Sequence, residues 1–107
     1  MADATAQTGE VATPDGRWFV YVLRCRGDRV YCGIAKDVEA RYAEHLAGRG
    51  AKFTRAFPPQ ERLAVIACAG RSEALKAEAA FKALRREAKQ RTVAEWRAQG
   101  TGTSQFA

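Results

Sequence analysis

Residues 27–45 read GDRVYCGIAKDVEARYAEH, placing Tyr31, Gly33, Lys36, Arg41 and His45 within one passage from strand to helix. Tyr21 lies just upstream and Glu78 on a later helix. These side chains suit work on a phosphodiester. An arginine can clamp a phosphate through two hydrogen bonds and offset charge that develops in the transition state. One carboxylate can hold one divalent ion, which polarises the phosphate and its leaving oxygen. A tyrosine hydroxyl, with a reference pKa of about 10, can take a proton from water if nearby cations stabilise its phenolate. Lys36 and Arg41 stand close enough in sequence to do so.

Other chemistries lack their parts. A two-metal phosphodiesterase needs several converging carboxylates, and the acids here are scattered, with no D-x-D or H-E-x-x-H pattern. No G-x-x-x-x-G-K-[ST] loop marks a nucleoside triphosphate site, and the single histidine, His45, excludes a multi-histidine metal centre. Cys25, Cys32 and Cys68 are odd in number, have no C-x-x-C spacing and sit in apolar runs, so they read as buried free thiols.

The elements that must position these residues can be read in order. RWFVYVLRC (17–25) is a continuous apolar run that suits a central strand buried on both faces. RGDR supplies a turn, and VYCGI (30–34) returns as the second strand of a hairpin. Asp37 is placed to cap the helix VEARYAEHLA, with Val38, Tyr42 and Leu46 as its buried stripe and the Arg41/His45 pair beside it. GRGAKFTRAFPP (48–59) reads as a basic loop and RLAVIACA (62–69) as a third buried strand. Ser72 is placed to cap a long helix reaching about Lys89, with Ala74, Ala77, Phe81, Leu84 and Ala88 as its stripe. A short helix around VAEWRAQ follows. The order ββαβα(α) predicts an α/β fold: a small, largely antiparallel three-stranded sheet flanked by helices. Residues 1–16 read as a disordered tail, 17–91 as the domain, and 92–107 as a short helix with a frayed end.

The hairpin carries a geometric condition. A two-residue turn at Gly27-Asp28 would put Tyr21 and Tyr31 on opposite faces of the sheet. One shared site requires an odd-length loop or a bulge that pairs Tyr21 with Gly33 and Leu23 with Tyr31.

The chain carries a formal charge of +6, but residues 17–91 hold seventeen Lys/Arg against eight Asp/Glu, a net +9. A body this basic predicts a polyanionic partner, nucleic acid first and an acidic membrane surface second. Arg49, Lys52 and Arg55, interleaved with Phe53, form a candidate rim for contacts to the phosphate backbone. The sequence shows neither a secretory leader nor a run of the ~20 apolar residues that a membrane span needs, so a cytoplasmic setting is expected.

Each candidate also has a plainer reading when taken alone. The tyrosines could be core aromatics, Arg41 and His45 a surface pair, and Glu78 a solvated acid paired with Lys82 one turn on. Their order argues otherwise. VYV (20–22), YCG (31–33), ARYAEH (40–45) and EALKAEAAFK (73–82), with GAKFTR (50–55) between, resemble the signature segments of GIY-YIG nucleases. The likeness is to the small single-domain bacterial members, which are similar to the nuclease half of structure-selective endonucleases, and it covers roughly residues 17–90. Val20 and Val22 depart from the first signature triplet.

The resemblance implies roles residue by residue. Tyr31 would be the general base or would orient the attacking water, and Tyr21 would hydrogen-bond near the scissile phosphate or the water. Gly33 would let the backbone pass close to the site, as a strand glycine also suggests. Arg41 would stabilise phosphorane-like charge, His45 would assist proton transfer or contact phosphate, and Glu78 would ligate one weakly held Mg²⁺ or Mn²⁺. The function so implied is metal-dependent endonucleolytic hydrolysis of DNA, with DNA favoured over RNA and a larger repair protein as a candidate partner. The competing expectation is a nucleic-acid-binding module with the same fold and little catalysis. A third is a protein-interaction domain built on Trp96 and the last helix.

Overall fold

The computed structural model describes residues 17–99. The readings of a tail at 1–16 and of a frayed end beyond residue 99 lie outside them. The order is β1 (Trp18–Cys25), β2 (Arg29–Ala35), α1 (Val38–Leu46), α2 (Lys52–Ala56), β3 (Pro59–Cys68), α3 (Arg71–Lys82) and α4 (Arg86–Ala98). The three strands form one antiparallel sheet in the order β2-β1-β3. The α/β class and the antiparallel sheet follow the reading above, and α2 adds a turn of helix to what reads as loop.

β1 is central because both of its faces are apolar. Phe19, Tyr21, Leu23 and Cys25 join Ala35, Val38 and Val65 in one core, against α1 and the chain after α2. Val20 and Val22 join Cys32, Ala74 and Phe81 in the other, beneath α3 and α4. The sheet is thus a middle layer with helices on both sides.

The hairpin meets the condition that the tyrosines impose. Arg26, Gly27 and Asp28 form a three-residue connection, and Cys25 pairs with Arg29, Leu23 with Tyr31 and Tyr21 with Gly33. Gly27 at φ 77° and Asp28 at φ 61° supply the left-handed backbone that such a turn requires. Glycine reaches that region without steric cost, and aspartate is among the few other residues that tolerate it.

Three helical details differ from expectation. On α1 the predicted stripe ended at Leu46, yet Leu46 is 55% exposed and its neighbour His45 is buried at 1%. Polar partners described below hold the ring inside, so hydrogen bonding outweighs hydropathy here. The predicted long helix breaks after Lys82, and α4 starts at Arg86. That break lets the chain fold back so that Trp96 meets Phe81, with ring centroids 5.4 Å apart, while Val93 covers the same core. Ser72 is not the N-cap of α3. Gly70 holds that position, and the Glu73 carboxylate accepts a hydrogen bond from the Ala69 amide at 3.2 Å. The Asp37 cap of α1 is present, its side chain accepting from the Ala40 amide at 3.0 Å.

All three cysteines are free; Cys25 and Cys32 are buried and Cys68 is half-buried. Burial pushes the Cys32 thiol up to about 12, so it stays protonated and serves as core. No described helix is long and apolar enough to cross a membrane.

Candidate active site and its family

The register puts Tyr21 and Tyr31 on one sheet face, their ring centroids 6.3 Å apart. Gly33 lies between them. A Cβ there would come within 2.5 Å of the Tyr21 hydroxyl and 3.1 Å of the Tyr31 ring. Gly33 is itself buried, so its missing side chain makes room for two tyrosines rather than for nucleic acid.

α1 brings His45 onto this face from above. Its Nε2 lies 2.8 Å from the Tyr21 hydroxyl and its Nδ1 2.7 Å from Thr54 Oγ1. The Thr54 hydroxyl donates in turn to the Ala51 carbonyl at 2.9 Å. That last bond fixes the rest of the chain. Thr54 has spent its only proton, so Nδ1–H must donate to it. Nε2 is then the acceptor, and the Tyr21 hydroxyl donates to it. A neutral imidazole is required, and burial, reinforced by the Arg41 charge, does lower the His45 pKa. Gly50 completes the enclosure, since a Cβ there would lie 2.2 Å from Nδ1. His45 is therefore enclosed on every side, and direct phosphate contact does not fit its position.

Burial also pushes the Tyr21 hydroxyl well above the ordinary tyrosine range, with the nearby Tyr31 adding to the shift and the Arg41 guanidinium opposing it. Tyr21 remains a neutral phenol. Its proton goes to His45, which leaves its oxygen facing the Arg41 guanidinium, whose pKa is raised chiefly by the Glu44 carboxylate, with Tyr21 adding to the shift. Arg41 is further tied to Glu44 at 2.8 Å and keeps its side chain 35% exposed, so it faces both the phenol and solvent. Tyr31 is half-buried, edge-on to His45 at 5.2 Å and stacked on Phe53 at 5.7 Å.

Glu78 belongs to α3, on the other side of the sheet, and β2 is an edge strand. Its carboxylate pairs with Lys82 at 2.9 Å. Lys82 also shares a hollow of about 320 Å³ with Tyr31, Phe53, Phe81 and Lys89. Lys82 thus reaches the Tyr31 hollow around the free edge of β2, with Glu78 behind it as its ion-pair partner. Glu78 offers hard oxygen donors suited to Mg²⁺ or Mn²⁺, and an ion there would compete with Lys82. Among the described residues no group of three or more His, Cys, Asp and Glu could hold a metal. Any ion would therefore take most of its ligands from water and phosphate, a donor set that Mg²⁺ accepts.

Of the other residues picked from sequence, Lys36 is displaced. Its Nζ sits 5.9 Å from the Trp18 ring centroid, next to Arg71 over the same ring, and not beside the tyrosines. The reason is alternation: Tyr31, Gly33 and Ala35 face one core and Cys32 the other, and Lys36 continues the Cys32 side. Arg49, Lys52 and Arg55 are exposed, with Phe53 among them. Thr54 and Gly50 were missed. The one available signal was the lone histidine, whose burial demands a polar partner at each nitrogen.

The GIY-YIG catalytic domain family matches residues 17–91. The chain belongs to the GIY-YIG family. Among its relatives, the UPF0213 protein of Cupriavidus necator strain H16 is 49% identical over 65% of this chain and 76% of its own. A UPF0213 protein of Pseudomonas aeruginosa is 38% identical over 87% of this chain and 86% of its own. The solution NMR structure of the UPF0213 protein BH0048 from Bacillus halodurans is 35% identical, covering 73% of this chain and 83% of that one, with a TM-score of 0.49.

Within this GIY-YIG domain the departures of the first triplet have a packing reason. Val20 and Val22 are fully buried on the face opposite Tyr21, against Ala74 and Phe81. The identity of those positions is set by the α3 core, and Tyr21 alone of the triplet points to the site.

Proposed function

We propose that this GIY-YIG domain is a divalent-metal-dependent endonuclease that hydrolyses phosphodiester bonds of DNA, in preference to RNA, in the cytoplasm. The observation that carries the reading is the convergence of Tyr21, Tyr31, Arg41 and His45 on one sheet face. Arg41, charged and partly exposed, clamps the scissile phosphate and offsets the charge of the pentacoordinate transition state. Tyr31, beside the open hollow, takes the proton of the attacking water or orients that water in line with the leaving oxygen. Tyr21 is too firmly protonated to act as base; its oxygen holds the Arg41 fork in place. His45 and Thr54 act through Tyr21 as positioning residues. A metal ion on Glu78 would supply Lewis-acid polarisation of the phosphate.

A second reading has its own support. The Glu78 carboxylate is neutralised by Lys82, and Arg41 by Glu44, an arrangement equally at home in a nucleic-acid-binding module without catalysis. Cleavage assays on flaps, junctions, nicks and single strands, with Mg²⁺ and with Mn²⁺, separate the two. Tyr31→Phe and Arg41→Ala should each lower the rate by on the order of 10²–10³ with the fold intact. Wild-type chain that binds DNA in a salt-dependent way yet cuts none of these structures would establish the binding module instead.

A further inference from the structure

The hollow beside Tyr31 opens at Val30, Phe53 and Lys89 into a larger groove of about 630 Å³, which runs between the hairpin end of β2 and α4. Its apolar floor includes Leu63 and Val93, and Arg29, Arg86 and Lys89 stand along it. The cations differ in how their charge is used. Arg24 also lines the groove, but Glu61 and Gln60 hold its guanidinium at 3.0 and 2.8 Å. Arg29 instead lies over the Phe57 ring, 3.9 Å from its centroid, and Lys89 over Phe81 at 5.9 Å. A ring contact orients a cation without consuming its charge or its outward N–H donors. No carboxylate among the described residues pairs with Arg29 or Lys89. Asp28 pairs with Arg86 at 2.8 Å, and both are about 70% exposed, so a competing anion can take Arg86 over at little cost.

We propose that this groove is a second nucleic-acid contact site, in which Arg29, Lys89 and Arg86 hold backbone phosphates of the strand that passes through the Tyr31 hollow. Charge complementarity and continuity with that hollow select this occupant. The proposal rests on nucleic acid being the partner, and it stands whether or not the chain cuts.

The test is binding of labelled oligodeoxynucleotides of increasing length, in EDTA so that no turnover occurs, titrated with salt. For the longer oligonucleotides, Lys89→Gln and Arg86→Gln should weaken binding several-fold and each reduce the salt slope by about one unit. The Arg86→Gln loss should vanish for oligonucleotides too short to leave the Tyr31 hollow, the Lys89→Gln loss should persist in part because Lys89 lines both spaces, and Lys89→Arg should restore binding. Asp28→Asn, which keeps a residue tolerant of positive φ, should tighten binding by removing the acid beside the phosphates. Lys76→Gln, an exposed α3 cation outside the groove, measures the general loss of one charge. Arg86→Gln that loses no more than Lys76→Gln, or that loses equally at every length, overturns this site and leaves the Tyr31 site standing. Wild-type chain that binds no oligonucleotide removes the nucleic-acid reading and this site with it.

Discussion

His45 is 1% exposed and bonded at both ring nitrogens, so its protonation and the stability of the fold are linked. Its folded pKa lies below the unfolded value of about 6.5. Between those two values the unfolded chain binds more protons, so the contribution is whole above about pH 6.5 and is lost as the pH falls toward the folded pKa. Urea unfolding at a series of pH values should show this decline in wild type and not in His45→Gln. Thr54→Val keeps the shape but strands a buried Nδ1–H, at a cost of about 1–3 kcal/mol. Thr54→Ser retains the acceptor and should cost about 1 kcal/mol or less, in line with one lost methyl group. Cleavage by Thr54→Val should fall through kcat while DNA affinity holds, because Thr54 works through Tyr21 and touches no substrate. Neither residue's part could be read locally: Thr54 sits in a short basic segment that reads as loop, and a helical wheel favours Leu46 over the adjacent His45.

At the level of elements, more was legible. β1, the hairpin and the Asp37 cap follow from runs of apolar residues, turn chemistry and capping, all encoded within a few positions. The pairing of Tyr21 with Gly33 and of Leu23 with Tyr31 was derivable because one face had to carry both hydroxyls. The break between α3 and α4 was not, since no glycine or proline marks it; what ends α3 is the gain from laying Val93 and Trp96 back on the sheet. Phe81, 2% exposed beneath that return, should cost about 3–5 kcal/mol when replaced by alanine, as read by denaturant unfolding. Gly33→Ala tests the same sheet from its other face. Its Cβ would press on the Tyr21 hydroxyl, and overpacking of this kind costs about 1–3 kcal/mol. A loss of cleavage should accompany it, because the displaced ring is the one that holds Arg41.

Across the whole molecule, a net +9 over residues 17–91 should make association with nucleic acid strongly salt-dependent. Replacing exposed Lys52 or Arg55 with glutamine should remove about one unit from the slope of log affinity against log salt, measured by anisotropy. Charge of this kind is readable from composition alone, whereas the grouping of Arg29, Arg86 and Lys89 depends on where α4 returns. The relay from Tyr21 through His45 and Thr54 to Ala51 has a last consequence, which is spectroscopic. Its Nδ1 proton is shut away between a threonine oxygen and the Gly50 backbone, so exchange with solvent should be slow enough for proton NMR to detect it. With one histidine in 107 residues, that line needs no assignment strategy. It is an internal reporter of whether Tyr21 is held when nucleic acid or metal is added, readable without a single turnover.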